Sequence, residues 1–330
     1  MKKFRCKNLL ITGGAGFIGS NYIDYILNNY ENLNIYNLDK LTYAGNKKNI
    51  LKFEDYKAYK FIHGDICDEV LLKNIFKNHE IDGVINFAAE SHVDNSILNP
   101  DLFVQSNIIG VHKLLKVAYL SWMEGPNKRK ERFAKSRFHQ ISTDEVYGSI
   151  KKGSFTETSR YLPNSPYSAS KASADMLVRS YSKTYGLDTT ISISSNNYGS
   201  NQNIEKLIPQ IIYCLKNDKK VSIYGDGLNV RNWLHVIDNV IAIDLIFNNS
   251  ESGESYNVGS GDELTNMMVY KIIYSQIFND NNYHKKINFT ENRPGHDYRY
   301  SLDCDKIKKH LSWKPLFNFN DEIKNIINQY

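Results

Sequence analysis

The sequence predicts an α/β fold: a Rossmann-type doubly wound parallel sheet with a smaller C-terminal α/β lobe. Three observations predict it. Short apolar runs alternate with helical patterns over roughly the first 195 of 330 residues. A glycine-rich turn joins the first run to the first helix. Beyond about residue 196 the alternation gives way to irregular chain punctuated by Tyr198-Gly199, Gly225-Asp226-Gly227, Gly259-Ser260-Gly261 and Pro294-Gly295.

The first strand is Asn8–Thr12, an apolar run bounded by glycines, and Phe17–Leu27 continues with helical spacing. Asn34–Asp39 and Tyr59–Asp65 read as the second and third strands, Gly83–Ala89 as the fourth, Arg137–Ser142 as the fifth and Thr189–Ser194 as the sixth. Ile108, Val111, Leu115 and Ala118 mark a helix between the fourth and fifth. Val236–Phe247 reads as a helix that returns to the main sheet. The expected division is therefore residues 1–195 with about 232–258 as the first domain, and 196–231 with 259–330 as the lobe.

A chain of 330 residues is long enough to bury a large core, and 41% hydrophobic with 23% charged residues is ordinary for a globular enzyme. The net charge of +5 is too mild to indicate nucleic acid, and Lys128–Arg132 reads as a solvated connector. Leu9-Leu10-Ile11 ends at Gly13, too short for a signal segment, and no run approaches the roughly 20 apolar residues of a membrane span. Cys6, Cys67, Cys214 and Cys304 form no C-x-x-C pair. They read as reduced thiols of a cytoplasmic protein, with no metal site expected.

Gly13-Gly14-Ala15-Gly16-Phe17-Ile18-Gly19 places glycines at three-residue intervals between a strand and a helix. Residues without Cβ let the backbone approach a pyrophosphate, which then sits at the positive end of the helix. Asp39 ends the next strand, 20 residues after Gly19, where a carboxylate accepts ribose hydroxyls. Such a carboxylate repels a 2′-phosphate, so NAD is expected rather than NADP. Asp65 after the third strand is placed to meet the adenine, and Ala88-Ala89 lets the cofactor lie close to the backbone.

Tyr167 and Lys171 are four apart and share a helix face, and Pro166 suits the first turn. An ammonium beside a tyrosine lowers its pKa and makes phenolate usable as a base for oxidising an alcohol carbon. Thr143, Asp144 and Glu145 follow the fifth strand at the sheet edge where such folds place their sites. Thr143 is suited to hydrogen-bonding the hydroxyl being oxidised. Two adjacent carboxyls can divide acid and base work if their environments separate their pKa values.

Together these segments resemble the extended short-chain dehydrogenases/reductases, and among them the nucleoside-diphosphate-glucose 4,6-dehydratases of the dTDP-glucose type. The resemblance runs through Thr12–Asn21, Asp39–Asn46, Ala88–Asp94, Ser142–Gly148, Tyr167–Lys171, Ser195–Gly199, Glu205–Pro209 and Asn292–Asp297. Thr143-Asp144-Glu145 is its most specific element, because related epimerases and decarboxylases carry small hydroxyl residues there. It implies a hydro-lyase of deoxysugar (rhamnose-type) synthesis. Tyr167 would act as base at the C4 hydroxyl, Glu145 would take the C5 proton and Asp144 would protonate the departing C6 hydroxyl, with NAD tightly held and regenerated.

The resemblance further implies cofactor contacts from Gly13, Gly16, Phe17, Ile18, Gly19, Asp39, Lys40, Leu41, Thr42, Asp65, Ile66, Ala88, Ala89, Ser91, Asn107 and Asn197, with Tyr167 and Lys171. For the substrate it implies Ser91, Thr143 and Asn196 near the hexose, and Lys206, Leu207, Ile223, Tyr224, Arg231, Asn266, His296 and Tyr300 along the nucleotide. It implies a homodimer joined by a four-helix bundle from Leu102–Ser121 and Ser168–Tyr185. The short loop Ser149–Pro163 and the Gly225–Arg231 segment also resemble UDP-glucose dehydratases. Thymine and uracil differ by a methyl group worth ~1–3 kcal/mol in a pocket, so the base stays open between them. An epimerase or decarboxylase of the same family, and a non-catalytic NAD-binding sensor, are the rival expectations.

Overall fold

Seven parallel strands form the central sheet of the computed structural model, which describes residues 4–280 and 282–330. They are β1 (Asn8–Thr12), β2 (Asn34–Asp39), β3 (Tyr59–His63), β4 (Gly83–Asn86), β5 (Arg137–Thr143), β6 (Thr189–Ser194) and β7 (Ser255–Val258). Their spatial order is β7-β6-β5-β4-β1-β2-β3, and every pairing is parallel. The chain runs outward from β1 through β2 to β3, then crosses back to place β4 on the other side of β1. Loops leaving β1 and β4 therefore part at their carboxyl ends, and a crevice opens there.

A parallel sheet needs cover on both faces, which explains strands that are buried almost throughout. Leu10, Val84 and Phe138 pack on one face against Leu115 and Trp122 of helix α2 (Val111–Trp122). Leu9, Ile11 and Ile85 point the other way. They pack against Ile23 of α1 (Phe17–Asn29) and against Val240 and Phe247 of a helix at Val236–Asn249. Polar strand residues are paired laterally: Thr12 donates to Asn86 at 2.5 Å, Asn86 to Gln140 at 2.8 Å, and His139 bonds Thr190 and Ser192. Pairing of this kind is what makes their burial tolerable.

The α/β reading of the sequence holds, with differences in detail. The expected third strand stops at His63 and the fourth at Asn86. The turn after β1 explains the latter. Gly13 adopts φ +71°, and a Cβ there would lie 2.6 Å from the Ala88 nitrogen, so the chain after β4 bends closely around it. Strand β7 was not read from the sequence: four residues, Ser-Tyr-Asn-Val, show no periodicity of their own. It pairs with β6 after the Val236–Asn249 helix has crossed the sheet. The remaining strands form short separate ribbons, chiefly Asn196–Tyr198 beside Val230–His235, and Val221–Tyr224 beside Ile287–Thr290.

A buried ion pair anchors the opposite end of the sheet. Arg137 Nε donates to Asp188 at 2.8 Å, Arg5 to the same carboxylate at 2.6 Å, and Arg137 also reaches the Phe247 carbonyl at 3.0 Å. Removing Asp188 would strand a guanidinium that is only 2% exposed. The Asp188→Ala change is expected to cost about 3–5 kcal/mol in urea unfolding.

Candidate active site

A cavity of about 320 Å³ occupies the crevice between the ends of β1, β4 and β5. Its floor is the turn Gly13–Gly19. The first turn of α1 has neither a side-chain cap nor an acidic residue, so its free N–H groups and helix dipole are available to an anion. Asp39 is buried at the end of β2. Its Oδ2 accepts from the Ala15 N–H at 2.9 Å and its Oδ1 from the Leu41 N–H at 2.8 Å. Each oxygen keeps a second lone pair for a ribose hydroxyl. Lys40 is held by Asp65 at 2.7 Å, so its ammonium is already matched by a carboxylate. An uncapped helix start, a Cβ-free turn and a ribose acceptor together fit a dinucleotide without a 2′-phosphate.

The reactive end is built on helix α3 (Pro166–Tyr185). Ser165 caps it reciprocally with Ser168, and Pro166 occupies the first turn, which sets Tyr167 at the cavity wall. One turn later Lys171 donates to the Ile141 carbonyl at 2.6 Å. Burial lowers the Lys171 ammonium to about 8. Burial and the Glu145 charge hold the Tyr167 hydroxyl above its ordinary value, while a hydrogen bond from Thr143 acts in the opposite sense. The lowering of the tyrosine expected from a neighbouring ammonium is not among the influences that dominate Tyr167 here. Desolvation is the largest of those influences.

Asp144 and Glu145 begin the short turn after β5, where Thr143 Oγ1 accepts from the Glu145 N–H at 3.3 Å. Asp144 is 1% exposed; burial, then the neighbouring Glu145 charge, raise its carboxyl to about 8. Its Oδ1 accepts from Thr143 at 3.3 Å and its Oδ2 has no partner. Burial thus favours the protonated form of Asp144. Burial raises Glu145 too, but Arg293, Arg231 and Lys206 pull it back and it lines the cavity. Two adjacent carboxyls thus have different surroundings, which is the condition for dividing acid and base work.

Most expected cofactor residues line this cavity, as do Ser91, Thr143, Glu145, Asn196 and Lys206. Two do not. Asn107 is buried behind the wall, bonded to Glu90 and Ser170, and Leu41 contributes its backbone N–H to Asp39. Arg231, Tyr224, His296 and Tyr300 are not among the residues that line the cavity and meet one another in two pairs. The Arg231 guanidinium lies 4.3 Å over the Tyr300 ring, fixed by the Asp297 carbonyl at 3.0 Å. Tyr224 and His296 meet edge to face at 6.0 Å. Ile223 is a buried strand residue, Leu207 starts a helix, and Asn266 is tied through its N–H to Asn229.

Sequence reasoning missed Arg293, whose charge bears on Glu145 and whose Nε is buried without a partner. It lies in the Asn292–Asp297 segment, so its signal was present. It also missed Asp175, buried behind Lys171. Only the i, i+4 spacing from Lys171 pointed to that carboxylate.

A family model described as GDP-mannose 4,6 dehydratase matches residues 10–326. The chain belongs to this family. Within it, the chain is 44% identical to the dTDP-glucose 4,6-dehydratase of Haemophilus influenzae, over 98% of this chain and 97% of that protein. The crystal structure of DesIV, a dTDP-glucose 4,6-dehydratase from Streptomyces venezuelae solved with NAD, superposes with a TM-score of 0.90 at 39% identity, covering 98% and 96% of the two chains. A UDP-glucose 4-epimerase from Thermotoga maritima superposes at 0.85 with 27% identity, covering 98% of each chain. The fold is therefore shared with epimerases, and the closer sequence likeness is to dehydratases.

Proposed function

We propose that the protein is an NAD-dependent dTDP-glucose 4,6-dehydratase, yielding the 4-keto-6-deoxyglucose nucleotide. The observation that carries this reading is the contrast between Asp144, buried with one oxygen unpartnered, and the adjacent Glu145, which lines the cavity with Tyr167. An epimerase needs only the tyrosine and a hydroxyl; loss of water needs a separate acid and base. NAD, when bound over Gly13–Gly19 and Asp39, supplies the exchange of hydride with C4 and then C6 and is unchanged over a turnover.

The residues of the chain move the protons. In the working complex the Lys171 ammonium and the positive charge that NAD would supply favour the phenolate of Tyr167, which takes the proton of the C4 hydroxyl as C4 becomes a carbonyl, and Thr143 and Lys171 hold that oxygen in place. The carbonyl acidifies the C5 hydrogen, which Glu145 removes. Asp144 gives its proton to the C6 hydroxyl, which leaves as water, and Glu145 returns a proton to C5. At the end Tyr167 is one proton richer and Asp144 one poorer. Thr143 bonds to both, so its hydroxyl is the natural path for the proton that resets the site.

The lobe of residues 196–231 and 259–330 would seat the nucleotide, with Arg231, Lys206 and Arg293 answering the diphosphate. Tyr224, His296, Tyr300, Leu207, Ile223 and Asn266 would border the nucleoside. A homodimer is supported by the two helical stretches expected to form its bundle. They carry Leu102, Val104, Ile109, Leu120 and Met176 exposed, five large apolar side chains left open to solvent within one chain. No helix among the described residues is long and apolar enough to cross a membrane, and a cytoplasmic enzyme is in keeping with that.

Two experiments test these readings. In heavy water, Asp144→Asn is expected to lose water release by about 10²–10⁴-fold while recovered dTDP-glucose still gains deuterium at C5. Glu145→Gln should lose both. Equal exchange in the two variants would contradict the division of roles. In wild type, water release should fall above about pH 8, where Asp144 gives up its proton and the Lys171 ammonium, lowered to about the same value, loses its own. Sedimentation should report a dimer, and Leu102→Asp with Met176→Asp a monomer. A wild-type monomer would refute the bundle.

A further inference from the structure

Asp175 is a buried carboxylate that the reaction described above does not use. It follows Lys171 by one turn of α3, as Lys171 follows Tyr167, so all three share a face. It is 2% exposed. Its Oδ2 accepts from the Ser142 hydroxyl at 2.5 Å and from the Tyr161 hydroxyl at 3.2 Å, and its Oδ1 is buried without a partner. Ser142 adjoins Ile141, whose carbonyl takes the Lys171 ammonium. The carboxylate and the ammonium are thus tied to consecutive residues at the end of β5.

A lone oxygen of this kind is costly inside a protein, and hydrogen bonds to Ser142 and Tyr161 alone could be made by a neutral amide. What an amide cannot provide is charge. We propose that Asp175 is a positioning residue for the reaction, the buried counter-charge that keeps Lys171 an ammonium beneath Tyr167. This rests on the reading that Tyr167 and Lys171 act together at the C4 hydroxyl.

The surrounding charges support the assignment. Asp175 is the ionised group that opposes the effect of burial on Lys171, and Lys171 acts in return on Asp175. The other groups around Asp175 are the phenols of Tyr161 and Tyr147, with Arg179 bearing on Tyr161 and Glu157 on Tyr147. Asp144 and Glu145 bear on Tyr167. Among these groups Asp175 is placed to hold the lysine's proton. Without it, Lys171 would titrate lower and become neutral within the working range.

The test is the pH dependence of water release from dTDP-glucose in two variants of the full chain. Asp175→Asn keeps the shape and both acceptor contacts but removes the charge; Asp175→Glu keeps the charge and disturbs the packing. Asp175→Asn is expected to be at least tenfold slower at pH 8, to recover toward pH 6, and to have its alkaline limb displaced by about one pH unit, the size of a single-charge effect. KM should not change. Asp175→Glu should keep the wild-type limb. In a Lys171→Met background, Asp175→Asn should change the rate less than twofold.

A loss that is uniform with pH, or equal with and without Lys171, would overturn the proposal and leave Asp175 a packing residue. If Asp175→Asn does not fold, a displaced limb in Asp175→Glu overturns it alone and a retained limb supports it. Wild-type turnover in Lys171→Met would instead refute the tyrosine–lysine reading itself.

Discussion

Exclusion of water from the turn after β5 is the constraint on which the chemistry of this protein depends. Asp144 is shut away by the sheet end and the Thr143–Tyr147 turn, and burial of an isolated carboxylate in such a place favours its protonated form. Glu145, one residue on, opens into the cavity and faces three cations. A strand turns its side chains to alternate sides, and a tight turn at its end sharpens the divergence. The contrast between two neighbouring carboxyls is therefore a product of backbone geometry before it is one of chemistry.

The same burial works on the basic partners and creates a second demand. A lysine placed under a tyrosine at a helix start loses hydration along with the carboxyls. It must be compensated if it is to remain charged. The compensation comes from a backbone carbonyl at Ile141 and the carboxylate of Asp175. Helix α3 thereby carries a short column of alternating function, each member one turn from the next. Rigidity matters here as much as charge: the reciprocal Ser165–Ser168 cap and the contacts to β5 at both Ile141 and Ser142 hold the column in register with the strand.

Much of this was legible in the residues. Strand and helix periods located six of the seven sheet strands, because a parallel sheet buried on both faces leaves long apolar runs that a sequence displays openly. Glycine spacing and Asp39 marked the dinucleotide end, since both answer to geometry local in the chain. The seventh strand escaped because four residues carry no period. Asp175 and Arg293 escaped for a different reason. Their significance lies in what burial leaves unpaired around them, and burial is decided by elements far apart in sequence. The direction of the Tyr167 shift was likewise hidden: spacing shows the lysine nearby but not the desolvation that opposes it. Asn107 illustrates the converse, a residue in register with the motif whose amide is taken up by Glu90 and Ser170.

The most direct measurement is mass spectrometry of dTDP-glucose incubated in heavy water with the purified protein and no added NAD. Loss of one water with one deuterium carried at C5 would establish elimination across C5–C6 by a retained cofactor. A C4 epimer of unchanged composition, or a decarboxylated product from another nucleotide sugar with dTDP-glucose left intact, would contradict the account and assign the acid pair to structure alone.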